Sequence, residues 1–128
     1  MMNDTRQAIA EQDDIVSFHL EVPSTRLHLR VRGNGRPMVL LHGGGPGTSS
    51  CDWIDCMHAM PAGVQCHAPD FPGFGDSGPL SAGKQYGWPA FAQAIIEGIE
   101  RLALGPVTLV GHSMGAAVAA TLALARPD

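Results

Sequence analysis

The sequence predicts an α/β domain, doubly wound and entered through an antiparallel hairpin. Three observations carry that prediction. Two early stretches alternate with period two, two later tetrapeptides are apolar on both faces, and segments of helical period lie between them. A strand buried on both faces needs helices above and below a parallel sheet. The chain has 128 residues, 45% of them hydrophobic and 16% charged. That is the size of one ordinary domain, with enough apolar content to bury a core.

Residues 1–13 are polar and are expected to form a tail. The domain is expected over 14–128. Val16, Phe18, Leu20 and Val22 alternate with Ser17, His19 and Glu21, which reads as a strand with one buried face. Pro23-Ser24 makes a turn, and Leu27, Leu29 and Val31 continue as a second strand antiparallel to the first. Gly33-Asn34-Gly35 is the next turn. Met38 to Leu41 and Val107 to Val110 are apolar on both faces, and Gly63 to Ala68 is a weaker strand between them. Helices are expected over 51–60, over about 87–104 with Phe91, Ile95, Ile99 and Leu102 on one face, and over the alanine-rich 114–126. The small side chains of the last would let it lie close on a sheet. Loops at the carboxyl ends of the parallel strands should then hold the site.

Composition removes several classes of function. Twelve acids face eight bases, for a formal net charge of −4. Such a chain has no basic footprint, so no nucleic-acid partner is expected. The longest apolar runs, Met38 to Leu41 and Ala116 to Ala120, are far short of the roughly 20 residues that span a bilayer, so no membrane partner is expected. The start of the chain shows no basic residues leading into an apolar run, and a cytoplasmic location is expected. The odd set of Cys51, Cys56 and Cys66 reads as reduced thiols. Together with His58 and His67 they fit no zinc spacing, so neither a metal nor a cofactor is expected.

Three glycine-rich loops follow three of the strands. Gly111-His112-Ser113-Met114-Gly115 lies between a buried strand and a helix, the setting in which G-x-S-x-G is a serine on a sharp turn. Gly111 and Gly115 remove side chains that would collide on so tight a turn. The following helix aims free N–H groups and its positive dipole end at the Ser113 hydroxyl. Ser113 is therefore the expected nucleophile.

His42-Gly43-Gly44-Gly45-Pro46-Gly47 follows the third strand. Acyl transfer needs donors for the oxyanion of the tetrahedral intermediate, and consecutive glycines let backbone N–H groups approach. The N–H of Gly44, or that of Gly43, is expected to join that of Met114 in this role. Gly45 supports the loop, and His42 is expected to organise it through a hydrogen bond rather than act as a base.

The third loop, Asp70 to Gly78, contains Gly73, Gly75 and Gly78 in a literal G-x-G-x-x-G. A dinucleotide site would need that run to open a helix. Pro79, Gly83 and Gly87 follow instead, so a packed loop lining the same mouth is expected.

Taken in order, LHGGGPG at 41–47, DFPGFGDS at 70–77 and GHSMG at 111–115 resemble the N-terminal half of an α/β-hydrolase fold enzyme. The HGGGPG form is similar to that of the carbon–carbon bond hydrolases that cleave meta-ring-fission products. His112 before the serine is the usual residue in esterases, lipases and perhydrolases of this fold. A serine rather than an aspartate argues against dehalogenase and epoxide hydrolase chemistry. The resemblance implies attack by Ser113 on the carbonyl of a small-molecule acyl substrate, with a His and an acid following in chain order. Only 15 residues follow Ser113, and they contain Asp128 as their one acid and no His. The expectation is therefore an N-terminal portion of a serine hydrolase that lacks triad acid and base, is inactive alone, and leaves homo-oligomerisation of a full-length form open. The alternatives are a non-catalytic binding domain on a shortened scaffold, a nucleotide-binding module, or, as the specific activity, a meta-cleavage-product carbon–carbon hydrolase or a perhydrolase or haloperoxidase.

Overall fold

A computed structural model describes residues 14–128. The expectation of a tail over 1–13 falls outside the described residues. Strand β1 (Val16–Val22) turns through Pro23-Ser24 into β2 (Thr25–Gly33), and the two pair antiparallel with Phe18 opposite Leu29 and His19 opposite His28. Strand β3 (Gly35–Leu41) leads through the glycine loop to a single 3-10 turn (Ser50–Trp53) and the short helix α1 (Ile54–Ala59). Strand β4 (Gly63–Pro69), helix α2 (Trp88–Arg101), strand β5 (Thr108–Gly111) and helix α3 (Met114–Ala125) complete the described chain. The expected helix over 51–60 is thus split, because the chain enters it through the tighter turn.

The sheet order is β1-β2-β4-β3-β5. Strand β3 runs parallel to both β4 and β5, while β2 is antiparallel to β1 and β4. The chain leaves β3 towards β4 on one side and later returns to the other side as β5. Right-handed crossovers in opposite directions put their helices on opposite faces. Leu40 on one face of β3 joins Met57 of α1, Cys66 and Ala68. Val39 and Leu41 on the other face join Phe91 and Ile95 of α2 and Val118 and Leu122 of α3. Strand β3 is therefore buried on both faces, as its unbroken apolar run requires. It is also the switch point of the sheet, where a crevice opens beyond the strand ends.

Strand β5 departs from its expectation of full burial. Thr108 is exposed and Leu109 and Val110 are half-buried, since among the described residues β5 pairs only with β3. Helix α3 is apolar around its whole circumference, and Leu124 on it is 85% exposed.

Candidate active site

The three glycine loops leave the carboxyl ends of β3, β4 and β5 and meet at the switch point. Ser113 sits between β5 and α3 with φ +57° and ψ −118°. A serine in that region of the map costs about 1–3 kcal/mol and persists only where its surroundings enforce it. The surroundings are on both sides. The His112 N–H donates to the Leu41 carbonyl at 3.0 Å, and the Gly115 N–H donates to the His112 carbonyl at 2.9 Å. A Cβ on Gly111 would collide with the backbone of Gly115 and Ala116, and one on Gly115 with the carbonyls of Leu41 and His42. Both glycines are needed for close approach rather than for a left-handed backbone. The result is an exposed Ser113 at the head of α3, whose hydroxyl has no hydrogen-bond partner among the described residues.

The loop after β3 lies directly against this turn. A Cβ on Gly44 would come within 2.7 Å of the Met114 Sδ, and one on Gly43 within 3.7 Å of the Ser113 Cβ. Neither the Gly44 nor the Met114 N–H is donated to an acceptor among the described residues. The loop holds its shape through Thr48, whose hydroxyl lies 2.8 Å from the Gly43 carbonyl and 2.6 Å from that of Gly45. The Thr48 N–H closes the turn by donating to the Gly45 carbonyl at 3.1 Å.

His42 is 1% exposed and uses both ring nitrogens. Its Nδ1 lies 2.6 Å from the Gly43 carbonyl, and its Nε2 accepts the Phe71 N–H at 3.0 Å. That pattern fixes a neutral imidazole with the proton on Nδ1. Burial pushes its pKa below the ordinary value, against the raising effects of the Gly43 carbonyl and the Asp70 charge. The side chain is spent on holding two loops together and has no lone pair to offer Ser113, as its loop-organising role requires. Its ring also packs on Phe71 and Phe74, at centroid distances of 4.6 and 5.3 Å.

The loop after β4 winds around Asp70. This carboxylate, 1% exposed, accepts the Ser50 N–H at 2.7 Å, the Asp76 N–H at 2.9 Å and the His28 Nδ1–H at 2.8 Å. Burial opposes its ionisation, but the hydrogen bonds from Asp76, Ser50 and His28 outweigh burial and hold its pKa below the ordinary carboxylate value. Gly75, at φ +50°, passes so close that any Cβ would overlap the carboxylate. The G-x-G-x-x-G run therefore wraps an aspartate and opens no helix, since α2 begins only at Trp88. Gly73, Phe74 and Gly75 face Gly44 to Ser49 across an open cavity of about 440 Å³, which is the shared mouth the sequence leads one to expect.

Sequence reasoning placed Ser113, Gly44, Met114, Gly111, His112, Gly115, His42, Gly43 and Gly45 together, and all nine lie in this cluster. It missed Asp70 and Thr48 as organisers. The signal for Asp70 is Gly75, immediately before its Asp76 partner, a cue legible only once the loop is known to fold back. Cys51, Cys56 and Cys66 are free thiols and join no cluster of metal-ligating side chains among the described residues. Asp128 is exposed and pairs with Arg126.

With this geometry in place, comparison with known proteins is decisive at the level of family. Residues 38–127 match the model of the alpha/beta hydrolase family. The chain belongs to that family. It is 34% identical over 115 residues to the (E)-2-((N-methylformamido)methylene)succinate hydrolase of Acinetobacter baylyi, covering 89% of this chain and 42% of that protein. It is 35% identical over 107 residues to the 2-hydroxy-6-oxo-6-phenylhexa-2,4-dienoate hydrolase of Burkholderia cepacia, covering 80% of this chain and 36% of that protein. Among solved structures, an epoxide hydrolase from Vigna radiata superposes with a TM-score of 0.81 at 29% identity, over 91% of this chain and 36% of that one. The chain thus spans less than half the length of the relatives it matches.

Proposed function

We propose that the protein of which this chain carries the nucleophile loop is a serine hydrolase acting on carboxylic ester or related acyl or carbon–carbon bonds. The observation that carries this reading is the Ser113 turn, at φ +57° and enforced by Gly111 and Gly115. Backbone strain at a serine clusters at functional sites. In the reading, the Ser113 Oγ attacks the substrate carbonyl and gives its proton to an imidazole. The Gly44 and Met114 N–H groups hold the oxyanion. Collapse expels the leaving group and leaves an acyl-enzyme, which water hydrolyses. The reading takes the imidazole and its orienting acid from outside this chain, which spans 42% and 36% of the two relatives' lengths, and His42 is committed to its loop. The substrate is a small acyl compound, and the site of action is the cytoplasm.

The test compares two lengths of protein with p-nitrophenyl acetate as substrate. The 128-residue chain should show no turnover that depends on Ser113. A form extended through its downstream reading frame should turn over, and Ser113→Ala should lower its kcat by about 10³-fold or more. Ester turnover in the extended form that survives Ser113→Ala would refute the assignment. Esterase-like turnover by the 128-residue chain, lost in Ser113→Ala, would refute the need for a downstream base.

A further inference from the structure

The two N–H groups assigned to the oxyanion come from different loops, so their separation has to be set by what packs between those loops. Gly44 lies on the loop after β3, and Met114 opens α3. Thr48 holds the Gly43 and Gly45 carbonyls with its hydroxyl. Gly44, between them, has neither its N–H nor its carbonyl in a hydrogen bond among the described residues. Packing must therefore place this peptide.

That packing comes from the side chain of Met114. A Cβ built on Gly44 would stand 2.7 Å from the Met114 Sδ, 3.2 Å from its Cβ and 3.3 Å from its Cε. The three nearest atoms all belong to one side chain. Gly44 is not among the glycines with a left-handed φ, unlike Gly47 at +80°. The glycine at 44 therefore answers to close approach rather than to backbone conformation. Met114 is half-buried and also packs against the core that holds Val118 and Leu122. Its thioether is thus braced by the core on one side and lies on the Gly44 peptide on the other. An unbranched, polarisable chain suits so irregular a gap.

We infer that the Met114 side chain positions the Gly44 N–H, so that one residue supplies one oxyanion donor from its backbone and sets the other with its thioether. The inference rests on the serine hydrolase reading of the Ser113 site. Oxyanion donors act when they stand about 2.7–3.1 Å from where the charge develops. A misplacement of about 1 Å costs as much as about 10²-fold in rate. The oxyanion exists only once Ser113 has attacked, so a displaced Gly44 lowers kcat and kcat/KM together.

The test uses the extended form with p-nitrophenyl acetate, and rates are expressed per site titrated with a fluorophosphonate, so that unfolded chains do not count. Met114→Ala should lower kcat and kcat/KM alike, by about tenfold or more. Met114→Leu refills the gap at similar volume and should recover most of that loss. Gly44→Ala puts a methyl where the thioether lies, and its loss should be smaller in the Met114→Ala background than in the parent. An unchanged kcat in Met114→Ala would overturn the inference. So would a rise in KM alone, a loss that Met114→Leu does not recover, or losses at 44 and 114 that add in full. Turnover that survives Ser113→Ala would instead refute the underlying serine reading, so the two failures are distinct.

Discussion

The Nε2 of His42 accepts the backbone N–H of Phe71 at 3.0 Å. Through that bond the loop after β3 is tied to the loop after β4, and the same ring holds the Gly43 carbonyl with its other nitrogen. Replacing His42 by Leu would leave the Phe71 N–H and the Gly43 carbonyl to find other partners in a dry site. Each such group costs about 1–3 kcal/mol when left unmade. Urea unfolding of His42→Leu should show a loss in that range or above it. An unchanged midpoint would remove His42 as the link between the loops.

His42 and Asp70 both make stability depend on pH on the acid side. The folded-state pKa of His42 is lowered from 6.5, so its contribution is complete above 6.5 and declines as pH falls through the lower folded value. The folded-state pKa of Asp70 is lowered from 3.8, so its contribution is complete above 3.8 and is lost as pH falls further. Stability measured against pH should fall in two stages. His42→Gln should flatten the first stage and leave the second. A wild-type profile that is flat from pH 6.5 down to 3.8 would contradict the buried neutral imidazole.

Two glycines on helices should answer differently to alanine. A Cβ on Gly115 meets the fixed carbonyls of Leu41 and His42, whereas one on Gly98 meets only the Leu27 Cδ2, at 2.9 Å. Backbone cannot yield as a methyl tip can. Gly115→Ala should cost about 3 kcal/mol or more. Gly98→Ala should stay within about 1 kcal/mol of neutral, since helix propensity offsets the crowding. Equal costs at the two positions, read from urea midpoints, would contradict the close packing of the Ser113 turn on β3.

Much of this was legible in the sequence because it follows from local rules. Period-two alternation located β1 and β2, and an unbroken apolar run located β3. The glycines at 111 and 115 announced the turn. What was not legible came from distant residues. Asp70 organises its loop through Ser50 and His28, which lie 20 and 42 positions away, and no local pattern encodes such partners. The half-exposure of β5 was missed for a related reason. Its apolar residues describe a strand with neighbours on both sides, and among the described residues it has one.

Helix α2 ends in a way the sequence does not favour. Ala103 adopts φ +54° just after it, and the Leu104 N–H donates back to the Ile99 carbonyl at 3.2 Å. A glycine takes this left-handed position without a Cβ penalty. Ala103→Gly should therefore raise stability by about 1 kcal/mol, read from the urea midpoint. A loss of that size would mean the turn is held by the Ala103 methyl.

The central claim is that the strained Ser113 hydroxyl is the acyl acceptor. It is tested most directly by incubating the extended protein with a fluorophosphonate and locating the adduct by mass spectrometry. The account predicts one adduct per chain, on the peptide containing Ser113, and none in Ser113→Ala. Labelling at another residue, or labelling that persists in Ser113→Ala, would contradict it.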